Sequence, residues 1–435
     1  MITPAATGTP GPGGRRLPAA FRALAHRNFR LYFIGQGVSI LGSWLQQVAL
    51  SWLVYRLTGS VALLGITAFL SMIPQLVVGP LAGAWIDRHD KRRLLVFVEL
   101  GLALQGLVLA VLTWTGMIGA ELIVVMSLLL GLLNAVETPL RQSLLNSLVA
   151  GRREDLTNAI ALNALLYNIG RFIGPPIAGL LIGLTGEAFC FALNAGSFLA
   201  LVFALLALQV EPGTRASGSV AAVFREGLRY ALASYPIRTL LVLLAVSNFT
   251  VSCYAVLLPV MAKKVFLGDV TTLGWLWGAA DCGSLFSTLV LAARKSLPGT
   301  ANAVLAGALV SACSLLVVAA SSWFALTVVA MAMLGFGMVV TNVGCNTILQ
   351  SIAPEHLRGR IVSFFTGIRF GLDALGGLAA GLVAERLGAP WTLAGEGVLL
   401  GLATAGLLLR RRRLVAALRR QPGAAPRSPP GGPAC

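Results

Sequence analysis

Apolar runs that continue past twenty residues recur along this chain, and no other feature restricts its fold so sharply. About 20 residues of helix cover the hydrocarbon core of a bilayer. Inside that core the backbone must satisfy its own hydrogen bonds, which leaves only helices and closed β-barrels. Barrel strands alternate apolar and polar residues in pieces of about ten, whereas these runs are apolar throughout. Twelve spans can be drawn, at roughly 31–56, 63–86, 94–115, 119–138, 157–184, 188–210, 238–262, 270–293, 301–320, 323–350, 359–385 and 390–410. The expected fold is an all-α membrane protein with twelve transmembrane helices. Composition agrees: 57% of the 435 residues are hydrophobic and 11% charged, against about 25% charged in a soluble domain.

A formal charge of +17 raises the question of nucleic acid, and the distribution of that charge answers it. With the N-terminus, the even-to-odd connections and the C-terminus on one side, that side holds 27 of the 33 Lys and Arg. The other side holds Arg56, Lys263, Lys264 and Arg386, while Arg171 and Arg369 fall inside spans. This is the positive-inside pattern, which predicts a multi-pass membrane protein with both termini in the cytoplasm. The expected partner of the basic residues is the bilayer, with Arg410–Arg413 and Arg419–Arg420 placed for anionic lipid; nucleic acid is not expected. Arg15, Arg16, Arg22, Arg27 and Arg30 precede a first apolar run long enough to remain as an anchor, so no cleaved leader is expected. The six cysteines lack metal-ligand or framework spacing, and the three histidines fall in cytoplasmic connections; neither a disulfide scaffold nor a metal site is expected.

The chain repeats itself. SLVAGRREDLTNAI (Ser147–Ile160) returns as SIAPEHLRGRIV (Ser351–Val362), and the spans that follow correspond: Asn168–Gly186 lies over Arg369–Gly388. Gly170 falls against Gly371, Gly174 against Gly376 and Gly179 against Gly381, with one residue of slip allowed. Small residues let helices approach closely, and Gly170, Gly174, Pro175 and Gly179 are read as packing positions. Two matched units imply two pseudo-symmetric six-helix bundles, the architecture through which secondary transporters rock around a central site. The expected divisions are a basic arm (1–30), a first bundle (31–210), a cytoplasmic linker (211–237), a second bundle (238–410) and a basic, Pro/Gly-rich disordered tail (411–435).

Between the second and third spans the chain reads GAWIDRHDKRRLLV, Gly83 to Val96, with seven ionisable residues between Asp87 and Arg93. Gly83, Asp87, Arg88, Lys91, Arg92 and Arg93 resemble the loop that marks the major facilitator superfamily, although Asp90 stands where that pattern has a second Gly. An Asp there can accept the backbone bonds of the turn. Asp87 is expected to sit against the positive N-terminal end of span 11, near Arg358 and Arg360, and hold the cytoplasmic side shut. Phe29–Ser60, Thr138–Val149 and the GPPIAG turn of span 5 resemble a narrower group, the enterobactin exporter and macrolide efflux proteins. The resemblance implies a fold in which spans 1, 4, 7 and 10 line a cavity, 2, 5, 8 and 11 join the halves, and 3, 6, 9 and 12 lie outside. It also implies a monomer.

An ionisable side chain at bilayer depth is a functional candidate by default. Asp281 (span 8) and Arg171 (span 5) sit near mid-span and are expected to pair or compete for a proton between the halves. Arg369 and Asp373 are spaced i, i+4 on span 11 and can satisfy each other. Glu137, four residues from Arg141, is read as a gate and a partner for the basic loop; Glu99 and Glu396, on outer spans, are ranked low. Many proton antiporters of the superfamily carry an arginine mid-way along span 4, and Leu122–Val136 contains none. The expected cavity lining is Trp44, Gln46, Gln47 and Trp52, Asn134, Asn248, Thr250 and Tyr254, and Thr341, Asn342 and Asn346. Aromatic faces with amides and no net charge suit a bulky, mostly neutral amphipathic solute.

The expected function is therefore export of a small amphipathic molecule, such as a drug, siderophore or secondary metabolite, by proton antiport with no bound cofactor. Nutrient uptake on the same fold and a transport-inactive receptor or assembly protein remain as alternatives. No nucleophile–base pair, metal cluster or Walker-type phosphate loop is present in the sequence, so neither an enzyme nor direct use of ATP is expected.

Overall fold

The computed structural model describes residues 19–79, 82, 86, 89–145, 148–149, 153–208, 229–292 and 297–419. Among them the chain is helical, with no strand. After a short 3₁₀ segment, Ala19–Ala25, come α1 (Arg27–Thr58), α2 (Val61–Val77), α3 (Lys91–Trp114), α4 (Ala120–Leu145), α5 (Arg153–Thr185) and α6 (Glu187–Leu206). The second half holds α7 (Tyr235–Val265), α8 (Val270–Ala292), α9 (Leu297–Ala320), α10 (Phe324–Ile352), α11 (Glu355–Leu387) and α12 (Ala389–Leu409), followed by a short α13 (Arg411–Arg419). Ten helices among the described residues are long and apolar enough to cross a membrane. The other two in the sequence count are α2, apolar over 17 residues, and α8, of 23.

The repeat is visible in the backbone. Helices α5 and α11 are each 33 residues long, and each ends on a glycine that also opens the next helix. Gly186 and Gly388 hold nearly the same left-handed conformation, φ 84° and 85°, which favours glycine. Elsewhere short polar side chains start helices: Ser60 accepts from the Leu63 amide at 3.1 Å, and Asp90 Oδ1 from the amides of Arg92 and Arg93 at 3.0 and 3.2 Å. Helix α7 is interrupted at Ser252 and closes on a π turn, Met261–Val265.

Two pairings carry most of the contact between the halves: α2 packs on α11, and α5 on α8. Both are closest at the end away from the chain termini. A methyl group on Gly381 would come within 2.8 Å of Gly65 Cα, and one on Gly274 within 2.6 Å of the Pro175 carbonyl and 3.2 Å of Gly179 Cα. Lipid tails give no hydrophobic drive for helices to associate, so this close backbone approach supplies the contact. The apolar cores agree. At that end one continuous core, including Val54, Leu64, Ile182, Leu257, Leu273 and Ala380, runs through both halves. Toward the termini the core divides in two, one part around Phe29, Leu95 and Leu144 and the other around Leu240, Val304 and Ile348. Among the described residues the halves thus share one core at the end opposite the termini and have separate cores at the terminal end.

One expectation is corrected. The first nine residues of the tail are helical: Leu414 and Leu418, spaced i, i+4, are buried against the neighbouring helices α7 and α9, and Arg411 Nε donates to Asn302 Oδ1 at 2.7 Å. The density of arginine hides that stripe in the sequence. Residues 420–435, most of the linker (209–228) and the arm to residue 18 lie outside the described residues.

Candidate functional site

The two halves meet near the middle of α5 and α8 on a small charged and aromatic group. Arg171, from α5, places Nη2 at 2.8 Å and Nε at 3.0 Å from Oδ1 of Asp281, on α8. Asp281 is buried, and Arg171 is about a quarter exposed. Above the guanidinium lies the ring of Trp44 from α1, at 5.9 Å, within cation–π range. Trp44 in turn meets the edge of Trp277 on α8, with ring centroids 6.4 Å apart at 80°. Gly174 provides the space, since any side chain there would strike the Trp44 ring, and Gly170 does the same for Ile40. Pro175 and Gly179 continue this face against Gly274. One bridge between the halves is therefore stacked under an aromatic lid.

Half-buried Tyr254 of α7 lies within electrostatic reach of Arg171, Asp281 and Asp373. Arg369 and Asp373 share a face of α11, but among the described residues they form no direct ion pair; the Arg369 guanidinium lies 5.4 Å from the Phe370 ring. Their spacing permits contact, and Phe370 offers the cation another surface.

The expected cavity lining divides. Gln47 is exposed, and Trp44, Asn134 and Tyr254 are half-buried. Gln46 turns the other way: it donates to Gln105 Oε1 at 3.0 Å and accepts from Asn194 at 2.8 Å, tying α1 to α3 and α6. Consecutive residues on a helix point about 100° apart, so the two glutamines cannot share a face. Trp52 belongs to the continuous core. Thr250 and Thr341 are fully buried and donate to their own helices, at Val246 O and Gly337 O. Asn248 and Asn342 bond each other at 3.2 Å and hold α7 to α10, while Asn346 is half-buried and accepts from Gln350.

Part of the charged loop lies among the described residues. Gly83, Asp87 and Arg88 lie outside the described residues. Arg92 donates to the carbonyls of Leu205 and Leu206, closing the C-terminal end of α6 where a cation is favoured. Arg93 is 3.4 Å from Asp90, Lys91 is half-buried, and on α11 Arg358 is exposed and Arg360 half-buried. Glu137 is held within the N-terminal half. It pairs inside the bundle with Arg141, which also binds Glu99 at 3.0 Å.

Sequence reasoning also passed over Glu385. Its Oε2 accepts from the amides of Val61 and Ala62 at 2.6 and 2.9 Å and from the Ser60 hydroxyl at 3.3 Å, so a carboxylate of α11 caps α2 across the boundary between halves.

The described residues thus hold ten membrane-length helices in two matched halves, bridged between α5 and α8. The profile of a family described as transmembrane secretion effector matches residues 18–426. The chain belongs to that family, within the major facilitator superfamily. Its members are membrane transporters rather than enzymes, and the relatives agree. The staphyloferrin A transporter of Staphylococcus aureus is 26% identical over 82% of this chain and 90% of its own length. Multidrug efflux pump Tap of Mycolicibacterium fortuitum is 27% identical over 80% and 87%. Macrolide efflux protein A of Streptococcus pyogenes is 24% identical over 83% and 92%. Among solved structures, a bacterial homologue of the lysosomal transporter Spinster, inward-facing and occupied, superposes with a TM-score of 0.71 at 13% identity, covering 94% of this chain and 100% of that one. Nucleoside transporter NupG gives 0.69 at 16%, covering 87% and 99%. At such identities these two structures speak for the major facilitator fold alone.

Proposed function

We propose that this protein exports a small amphipathic molecule across the bacterial cytoplasmic membrane in exchange for protons, by alternating access. The observation that carries the reading is the Arg171–Asp281 bridge, set between halves that share one core at one end and have separate cores at the other. With the termini in the cytoplasm, as the basic residues favour, the end with separate cores faces inward, where an exporter loads. A proton taken by Asp281 neutralises it and releases Arg171, freeing α5 from α8. Its loss restores the bridge. Trp44, Trp277, Tyr254 and Gln47 offer stacking faces and an amide, which suit a bulky neutral solute better than a sugar phosphate. Two of the three relatives are efflux proteins by name, which favours export over uptake. The protein works as a monomer in the bilayer, with the proton gradient as its energy source.

The test is accumulation of a fluorescent amphipathic dye in cells expressing the protein, with and without a protonophore. Exclusion that collapses with the gradient supports the reading. Equal accumulation in expressing and empty cells, across a panel of neutral and cationic dyes, contradicts it.

A further inference from the structure

Inside the N-terminal half, two carboxyl groups converge on one guanidinium. Arg141 Nη2 contacts Glu137 Oε1 one helical turn away, Glu99 Oε1 at 3.0 Å and Ser39 Oγ at 3.0 Å, and its Nε lies 3.2 Å from Glu99 Oε1. Nη1 donates to the Tyr167 hydroxyl at 3.4 Å, and Gln36 Nε2 donates to the same oxygen at 3.1 Å. Helices α1, α3, α4 and α5 all contribute. Glu99 is 0% exposed, Arg141 7% and Glu137 9%.

Charge does not balance here. With both acids ionised the group carries one net negative charge where water is excluded, an arrangement that costs several kcal/mol unless it is neutralised. Hydrogen bonding is incomplete in the matching sense: Glu99 Oε2 and Gln36 Oε1, on fully buried residues, are acceptors without a donor. The helices packed around the group bring no second cation among the described residues. α1 contributes Tyr32, α5 contributes Tyr167, α2 has no ionisable side chain, and the ionisable residues of α6, Glu187 and Cys190, lie at its opposite end.

We propose that Glu99 and Glu137, bridged by Arg141, form a proton-binding site in the N-terminal half that exchanges with the cytoplasmic opening past Tyr167. Tyr167 is 40% exposed on the cytoplasmic half of α5 while its hydroxyl bonds Arg141 and Gln36, so this side chain touches both the buried group and the surface. The proton adds to a carboxylate oxygen of the pair, supplying a donor where acceptors outnumber donors, and leaves to water by the same route. The site lies apart from Asp281. Its part in export rests on the proton-coupled reading above, whereas its capacity to bind a proton does not.

The full-length protein, reconstituted in phosphatidylcholine vesicles, is titrated from about pH 5 to 9 while infrared difference spectra record the C=O stretch of protonated carboxylic acid. Either Glu99→Gln or Glu137→Gln leaves one acid opposite one arginine, a balanced pair. Each is therefore expected to remove the same titrating carboxyl signal, while Asp281→Asn leaves it in place. Spectra of both glutamine variants that match the wild type would overturn the inference. If one variant fails to fold, the other gives the same reading, and Tyr167→Phe is expected to slow proton exchange without removing the signal. The measurement needs no substrate, so failure of dye export contradicts the proposed function and leaves this site intact.

Discussion

Arg171 and Asp281 join the two halves through one carboxylate oxygen, which lies 2.8 Å from Nη2 and 3.0 Å from Nε. A charge pair at this depth gives little net stability against an apolar replacement, yet removal of one partner leaves the other uncompensated. Such a contact suits a switch better than a staple.

Asp281→Asn should therefore lower stability by about 1–3 kcal/mol, because a guanidinium beneath Trp44 loses its counter-charge. Adding Arg171→Gln should recover most of that loss. Thermal melting of the single and double variants in detergent measures both. Equal losses from each change, adding in the double variant, would show that the two side chains do not depend on each other.

The glycine contacts predict which end opens. Gly274→Val would drive a side chain into the Pro175 carbonyl, and Gly381→Val would drive one into Gly65. Overpacking costs about 1–3 kcal/mol, here only while the end opposite the termini is closed. Either variant should raise labelling of a cysteine placed at Thr271 by an impermeant maleimide added outside, in a background without native cysteines. Unchanged labelling would remove these glycines from the closing contact.

Glu385 makes a prediction of its own. Glu385→Ala leaves the amides of Val61 and Ala62 without their carboxylate acceptor, a loss of about 1 kcal/mol, as for other helix caps. The same Thr271 labelling should rise, by less than with the valine variants. Glu385→Gln should fall between wild type and alanine, since the amide keeps an acceptor but not the charge at the helix end.

Gln46 and Gln47 separate packing from recognition. Gln46→Leu strands the amides of Gln105 and Asn194 and should cost about 1–3 kcal/mol without altering which dyes are exported. Gln47→Leu should leave the melting temperature unchanged and shift the range of exported dyes. Melting curves and a dye panel on both variants decide it.

Much of this arrangement was legible in the residues. Apolar runs marked the spans because a bilayer sets helix length, and the matched glycines of α5 and α11 marked the repeat because close backbone contact tolerates little else. The meeting of Arg171 with Asp281 followed from knowing which helices face each other, a relation taken from the resemblance. What stayed hidden was helix face. Where almost every residue is apolar, hydropathy carries no period to show which way Glu99 points, so its place on an outer helix ranked it low although its carboxylate turns inward to Arg141. Gln46 was grouped with Gln47 for the same reason. The i, i+4 spacing of Glu137 and Arg141 is plain in the sequence, whereas Glu99 reaches the same guanidinium from another helix through tertiary packing.

The most direct test of proton exchange through the α5–α8 bridge uses everted membrane vesicles with a fluorescent amphipathic dye that expressing cells exclude. Dye uptake is driven by an imposed gradient, acid inside, and proton efflux is recorded in the same cuvette for wild type and Asp281→Asn. Wild-type vesicles are expected to show dye-dependent proton efflux and the variant to lose it, with equal protein in both membranes. Undiminished gradient-driven dye uptake by Asp281→Asn would contradict it.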